Sequence, residues 1–296
     1  MYNKVYDDPS ALRLANTYLS FLLYMQRKNG QFHNFLGFDR RFKDKVGSED
    51  SMGRALWASG YTLSIDASGN MMQVAKEIFD KGLPTSFGFT SPRAIAFTIL
   101  GLLYYNEAFP DDKNIQVNMG VFADSLVDQY RLEARNDWRW FESYLTYANA
   151  RLPQALLGAH QTMKKSTYLE VAQSSLDYLI EIQILEDMFV PIGSQGWYTK
   201  NGNRALYDQQ PIEASCMVEA SLMAANLTGD KSYQNIAKII FEWYHGRNIQ
   251  EVEIYNQKTS TCYDGITPNG LNKNQGAEAA ISYYIAYLKL KEACLF

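Results

Sequence analysis

The sequence predicts an all-α protein, an α/α toroid built from helical hairpins. Three observations lead there. Apolar residues recur at helical spacing through ten segments, while almost no stretch alternates strictly as a half-buried strand would. The segments also alternate in character, one carrying a charged face and the next apolar almost all round, as outer and inner helices do. Connections alternate in length as well: turns leave the apolar segments, whereas four of the stretches entering them run to on the order of 18 to 30 residues.

In chain order the expected helices cover residues 10–28, 48–63, 70–81, 92–106, 115–134, 152–164, 167–185, 211–227, 231–245 and 277–293. Their starts carry recognisable signals. Ser48 is placed to cap the second, Ser91-Pro92 opens the fourth, and Pro153 and Pro211 suit first turns, where a missing amide hydrogen costs nothing. The inner helices are crowded with small apolar residues, as in Ala-Ile-Ala-Phe-Thr-Ile-Leu-Gly after Pro92 and Ala-Ser-Cys-Met-Val-Glu-Ala-Ser after Glu213. Thr228-Gly229-Asp230 reads as a stop and restart, and Ile65-Asp66-Ala67-Ser68-Gly69 as a short turn between helices. Hairpins repeating every 40 to 65 residues or so suggest a toroid or solenoid, and small inner residues favour the narrow centre of a toroid. Five hairpins are visible where the commonest closed form has six. The ring is therefore closed by five, or a hairpin is missing from the N-terminus. No interdomain linker interrupts residues 1–296, so a single toroid domain is expected.

Composition narrows the function. With 296 residues, 47% of them hydrophobic and 20% charged, the chain can bury a substantial core. A net charge of −4 argues against a nucleic-acid partner. Cys216, Cys262 and Cys294 are odd in number and lack CxxC spacing, which indicates neither a disulfide framework nor zinc. His33, His160 and His245 form no metal-ligand spacing, and no phosphate-cradling glycine loop stands in a strand-turn-helix context, so no metal or cofactor is expected. Without an apolar leader or a long apolar run, no membrane association is expected and a cytoplasmic location is the default.

The chain is organised around residues 136–154, which gather two tryptophans, three other aromatics, two acids, two arginines and two asparagines ahead of an apolar helix. This third loop offers Asp137, Trp138, Trp140, Glu142 and Arg151. The fourth offers Trp197, Tyr198, Asp208, Gln209, Gln210 and Glu213, and the fifth Tyr263, Asp264 and Gln275; Asp50 follows the first. For Asp50, support of the helix dipole is as good an explanation as chemistry. Carboxylates and amides bond hydroxyl groups, and aromatic faces cover the apolar side of a pyranose, so the inventory suits an oligosaccharide or other glycan. Glycoside cleavage needs two carboxyl groups, one protonated and one ionised. Glu142 and Asp208 rank first as catalytic residues because they stand among the densest ligand-like residues, with the others as substrate-binding candidates.

Five blocks carry a family resemblance: Gly-Ser-Glu-Asp-Ser-Met-Gly-Arg-Ala-Leu-Trp-Ala at 47–58, Trp-Arg-Trp-Phe-Glu at 138–142, Asn-Ala-Arg-Leu-Pro-Gln-Ala-Leu-Leu at 149–157, Tyr-Asp-Gln-Gln-Pro-Ile-Glu-Ala at 207–214 and Cys-Tyr-Asp-Gly-Ile at 262–266. They resemble the six-hairpin glycosidase-like α/α toroid domains found in bacteria alone or joined to glycosyltransferases. The resemblance implies the toroid fold and association with carbohydrate, and carries no catalytic assignment. Two functions follow as expectations: a glycoside hydrolase or phosphorylase, or a non-catalytic glycan-binding partner of a separate glycosyltransferase. A sugar 2-epimerase shares the toroid but relies on cavity histidines, which are scarce here, and terpene-cyclase-type toroids fit the polar loops worse.

Overall fold

Each helix start needs partners for its first amides, and the residues that supply them set the boundaries. The computed structural model describes residues 1–65 and 67–296. Among these, eleven helices run in order: α1 (Tyr2–Tyr6), α2 (Pro9–Met25), α3 (Glu49–Leu63), α4 (Gly69–Ser86), α5 (Pro92–Ala108), α6 (Lys113–Glu133), α7 (Arg151–Met163), α8 (Ser166–Gln183), α9 (Pro211–Thr228), α10 (Ser232–Glu242) and α11 (Ala277–Glu292). All ten expected helices are present. Only the short α1 is additional, and α4 continues through Pro84 to Ser86 rather than ending at Lys81. Ser48, Ser68 and Ser91 cap α3, α4 and α5 through their side-chain oxygens. Gly229 ends α9 in the left-handed region, its amide donating to the Ala225 carbonyl. Asp66, in the expected turn after α3, lies outside the described residues.

Connection lengths follow the expected alternation. Residues 109–112, 164–165 and 229–231 turn the chain from inner to outer helices, whereas 26–48, 134–150, 184–210 and 243–276 are long. The long connections contain eight very short strands: β1 (Tyr144–Leu145), β2 (Ile184–Leu185), β3 (Met188–Phe189), β4 (Tyr198–Thr199), β5 (Tyr255–Asn256), β6 (Thr261–Cys262), β7 (Gly265–Thr267) and β8 (Gly270–Asn272). They pair antiparallel as β1–β4, β2–β3, β5–β6 and β7–β8. Two or three residues are too few for alternation to register in a sequence.

Two compact units divide the chain. The first comprises Tyr2–Asp128 with Gly158–Leu169, and here α3 packs on α5 and α4 while α2 packs on α4. Every residue of 92–103 is buried. The crowding of small residues has a direct cause: a Cβ on Gly60 of α3 would sit 2.2 Å from the Gly101 carbonyl oxygen of α5, so backbone meets backbone there. The Glu49 carboxylate accepts hydrogen bonds from the Thr90 and Ser91 amides at 2.9 and 2.8 Å, tying the start of α3 to the connection before α5. The second unit comprises Met1, Gln129–Leu157 and Glu170–Phe296, where α9 packs on α10 and α11 and buries all of residues 211–222. No helix among the described residues is long and apolar enough to cross a membrane.

Candidate functional site

Three of the long connections belong to the second unit, and backbone hydrogen bonds join them to one another. The ladder β1–β4 pairs Tyr144 with Thr199 and Leu145 with Tyr198, linking 134–150 to 184–210. Lys200 reinforces it, donating from its amide to the Ser143 carbonyl and from Nζ to Glu133 at 2.8 Å. Gln209 and Ile266 then exchange both backbone bonds, at 3.0 and 3.1 Å, linking 184–210 to 243–276. That contact requires glycine at 265: φ is +142°, and a Cβ would lie 1.8 Å from the Gln209 carbonyl oxygen. The three connections therefore form one hydrogen-bonded frame.

Several expected site residues build this frame. Trp138 is 2% exposed, donates from Nε1 to the Glu142 carbonyl at 2.7 Å and meets the Tyr178 and Tyr198 rings edge-on at 5.8 and 5.1 Å. Trp140 is fully buried against Phe141. Gln209 is also buried and receives the Trp243 indole N–H at 2.8 Å while its amide donates to Leu206. The buried Glu213 carboxylate accepts from the Ala148 amide and from Asn149 Nδ2, fixing the chain where α7 begins. Arg151 is buried too, donating to Gln154 and to Glu219, each at 2.6 Å. Glu142 is buried as well.

Other candidates lie at the surface of the frame. Asp208 is partly exposed and adopts φ +57°, a left-handed conformation; its carbonyl accepts from the Ser194 amide and hydroxyl at 3.0 and 3.2 Å. Trp197, also left-handed at φ +56°, and Tyr198, Gln210 and Tyr263 are partly exposed. The Asp264 carboxylate accepts from the Gly276 amide at 2.6 Å and from Asn274, which holds the chain entering α11. Asp137 and Gln275 are exposed. Asp50 lies in the first unit, ion-paired with Arg54 at 2.7 Å.

Glu219, which the sequence did not single out, and Arg204, one of the polar residues of the fourth loop, also matter here. Glu219 is 3% exposed in mid-α9, its Oε1 on Arg151 and its Oε2 without a hydrogen-bond partner. A lone acid inside the run Ala-Ser-Cys-Met-Val-Glu-Ala-Ser was the available signal, because a buried charge requires a partner. Arg204, in the loop before Asp208, is half-buried; burial lowers its pKa, and one guanidinium nitrogen has no partner. Burial pushes the Cys262 thiol up to about 12, with Asp264 adding to the effect, so it is a poor nucleophile. No three His, Cys, Asp or Glu side chains converge as metal ligands among the described residues.

No protein-family model and no curated protein matches the sequence. Solved structures do. A cellobiose 2-epimerase from Bacillus thermoamylovorans superposes with TM-score 0.69 at 14% identity, over 98% of this chain and 84% of that one. For a glycoside hydrolase family 76 α-mannanase from Bacteroides thetaiotaomicron the values are 0.66, 12%, 97% and 81%. An unsaturated glucuronyl hydrolase specific for heparin gives 0.64, 12%, 97% and 80%. All three are six-hairpin glycosidase-like α/α toroids. The fold is an α/α toroid. The fold class expected from helical periodicity and connection lengths, and the six-hairpin glycosidase-like resemblance, are thus both found in the structure.

Proposed function

We propose that this chain is a carbohydrate-active protein that holds an oligosaccharide against the joined connections of the second unit and cleaves it, by hydrolysis or phosphorolysis, with Glu142 and Asp208. The observation that carries the reading is the setting of Asp208. A partly exposed carboxylate stands on a left-handed residue, a conformation that costs energy and is kept where the surroundings enforce it. The enforcement comes from the peptide group that follows it: Ser194 donates to the Asp208 carbonyl, and Gln209, whose amide shares that peptide group, exchanges both backbone bonds with Ile266. Trp197, Tyr198, Gln210 and Tyr263, all partly exposed on the same joined connections, supply the aromatic faces and hydrogen-bonding groups that a sugar needs. The similar structures are of a sugar epimerase and two glycoside-cleaving enzymes, which supports a sugar ligand.

In this reading one carboxyl group protonates the departing glycosidic oxygen and the other activates water or phosphate for attack at the anomeric carbon. Asp208→Asn and Glu142→Gln, assayed on an oligosaccharide that the wild type cleaves, should each reduce turnover by about a hundredfold or more without lowering the melting temperature. Full turnover in both variants would overturn the assignment. A wild-type protein that binds oligosaccharides across a broad panel and cleaves none would instead be a glycan-binding protein without catalysis.

A further inference from the structure

The first unit carries a surface that the proposed function does not use. Helix α2 buries only Leu19 and Met25. Leu14, Tyr18 and Phe21 recur at i, i+4 and i+7, which sets them in one stripe, and all three are exposed, as is Tyr24. The connection that follows folds into a hairpin: Lys43 donates to the Phe35 carbonyl, Gly37 to Arg41, and Arg40 to Gly37 across the tip. At that tip Phe38 is 112% exposed, and Phe35 is 64% exposed beside it. Phe42 stacks on His33 at 3.9 Å and meets the Tyr24 ring at 5.5 Å, so hairpin and helix stripe form one continuous patch. Phe21 and Phe35 also line a common cavity of about 300 Å³.

Charge indicates what the patch faces. Between Pro9 and Ser48 there are seven Lys and Arg against two Asp, in a chain whose net charge is −4. One of the two acids, Asp39, is paired with Lys43 at 3.0 Å, and the other, Asp44, accepts from the Asn34 and Phe35 amides. Arg40 and Arg41 follow Phe38 at the hairpin tip and Lys45 follows the hairpin; all three are exposed and make no ion pair among the described residues. Aromatic side chains collared by cations are matched by an anionic lipid surface, where rings enter the headgroup region and cations meet phosphates.

We propose that the α2 stripe and the hairpin at 35–43 dock the protein peripherally on an anionic bilayer. The full chain should co-sediment with vesicles of equimolar phosphatidylglycerol and phosphatidylcholine, bind pure phosphatidylcholine far less, and release as salt is raised. Arg40→Gln, Arg41→Gln and Lys45→Gln combined should weaken binding by roughly a hundredfold, at about fivefold per cation. Phe35→Ser with Phe38→Ser should weaken it at low and high salt alike. Equal binding to both vesicle types, or wild-type binding by both variants, would overturn the proposal. So would self-association that depends on Phe38 in a protein that ignores vesicles, because the patch would then be covered by a second copy.

Discussion

Trp138 and Phe38 are both aromatic residues in long connections that lead into inner helices, and the structure treats them oppositely. The tryptophan is 2% exposed, bonded to the Glu142 carbonyl and enclosed by two tyrosines; the phenylalanine stands clear of the protein. The difference lies in what the backbone meets. In the second unit three connections hydrogen-bond to one another, so their side chains have neighbours to pack between. In the first unit residues 35–43 pair only within their own hairpin, and the side chains at its tip have no second connection over them. An aromatic-rich loop therefore becomes scaffold or surface according to whether another loop is bonded across it.

That contrast can be broken at several points. The largest effect is expected at Trp138→Ala, which should cost about 3 to 5 kcal/mol in urea unfolding because a filled volume is emptied. Arg151→Met should cost a similar amount, about 3 to 5 kcal/mol, since Glu219 would be left as a buried charge; adding Glu219→Met should recover much of it. A double variant no more stable than Arg151→Met alone would show that the pair is not the cause. Next comes Gly265→Ala, where φ and the Gln209 carbonyl both oppose a side chain; a loss of about 1 to 3 kcal/mol should appear, against a smaller one for Gly270→Ala, which has open space.

A pH-dependent effect of intermediate size is expected at His245. Burial beside Phe241, Tyr255 and Tyr283 lowers its pKa, and the nearby Glu242 and Glu253 only partly offset this. The unfolded chain then takes up a proton at higher pH than the folded one. The contribution to stability is therefore complete above about pH 6.5 and is lost as pH falls below it. Unfolding curves of His245→Phe at neutral and mildly acidic pH should show a flatter dependence than the wild type. The smallest effect belongs to Phe38→Ser, which should change stability by no more than about 0.5 kcal/mol because the side chain leaves no contacts behind. A loss as large as that of Trp138→Ala would erase the distinction between the two regions.

Much of the fold was legible because its signals are local. Ser48, Ser91, Pro153, Pro211 and Gly229 mark helix ends through amides and carbonyls within a few residues, and the apolar runs at 92–103 and 211–222 can only be surrounded by protein. The candidate site was legible as an inventory and not as an arrangement. Asp208, Trp197, Tyr198 and Gln210 sit at the surface of the frame, while Trp138, Trp140, Gln209 and Glu213, of the same chemical types and in the same loops, are buried within it. Glu219 escaped notice because its partner, Arg151, stands 68 positions away in the chain.

Periodicity and caps, then, determined the helices, their alternation between outer and inner layers and the positions of the long connections, since each depends on residues within one or two turns of one another. Tertiary structure decided which loop side chains are scaffold and which face outward. That choice depends on pairings such as Tyr144 with Thr199 and Gln209 with Ile266, which form only once the helices have brought distant loops within hydrogen-bonding reach.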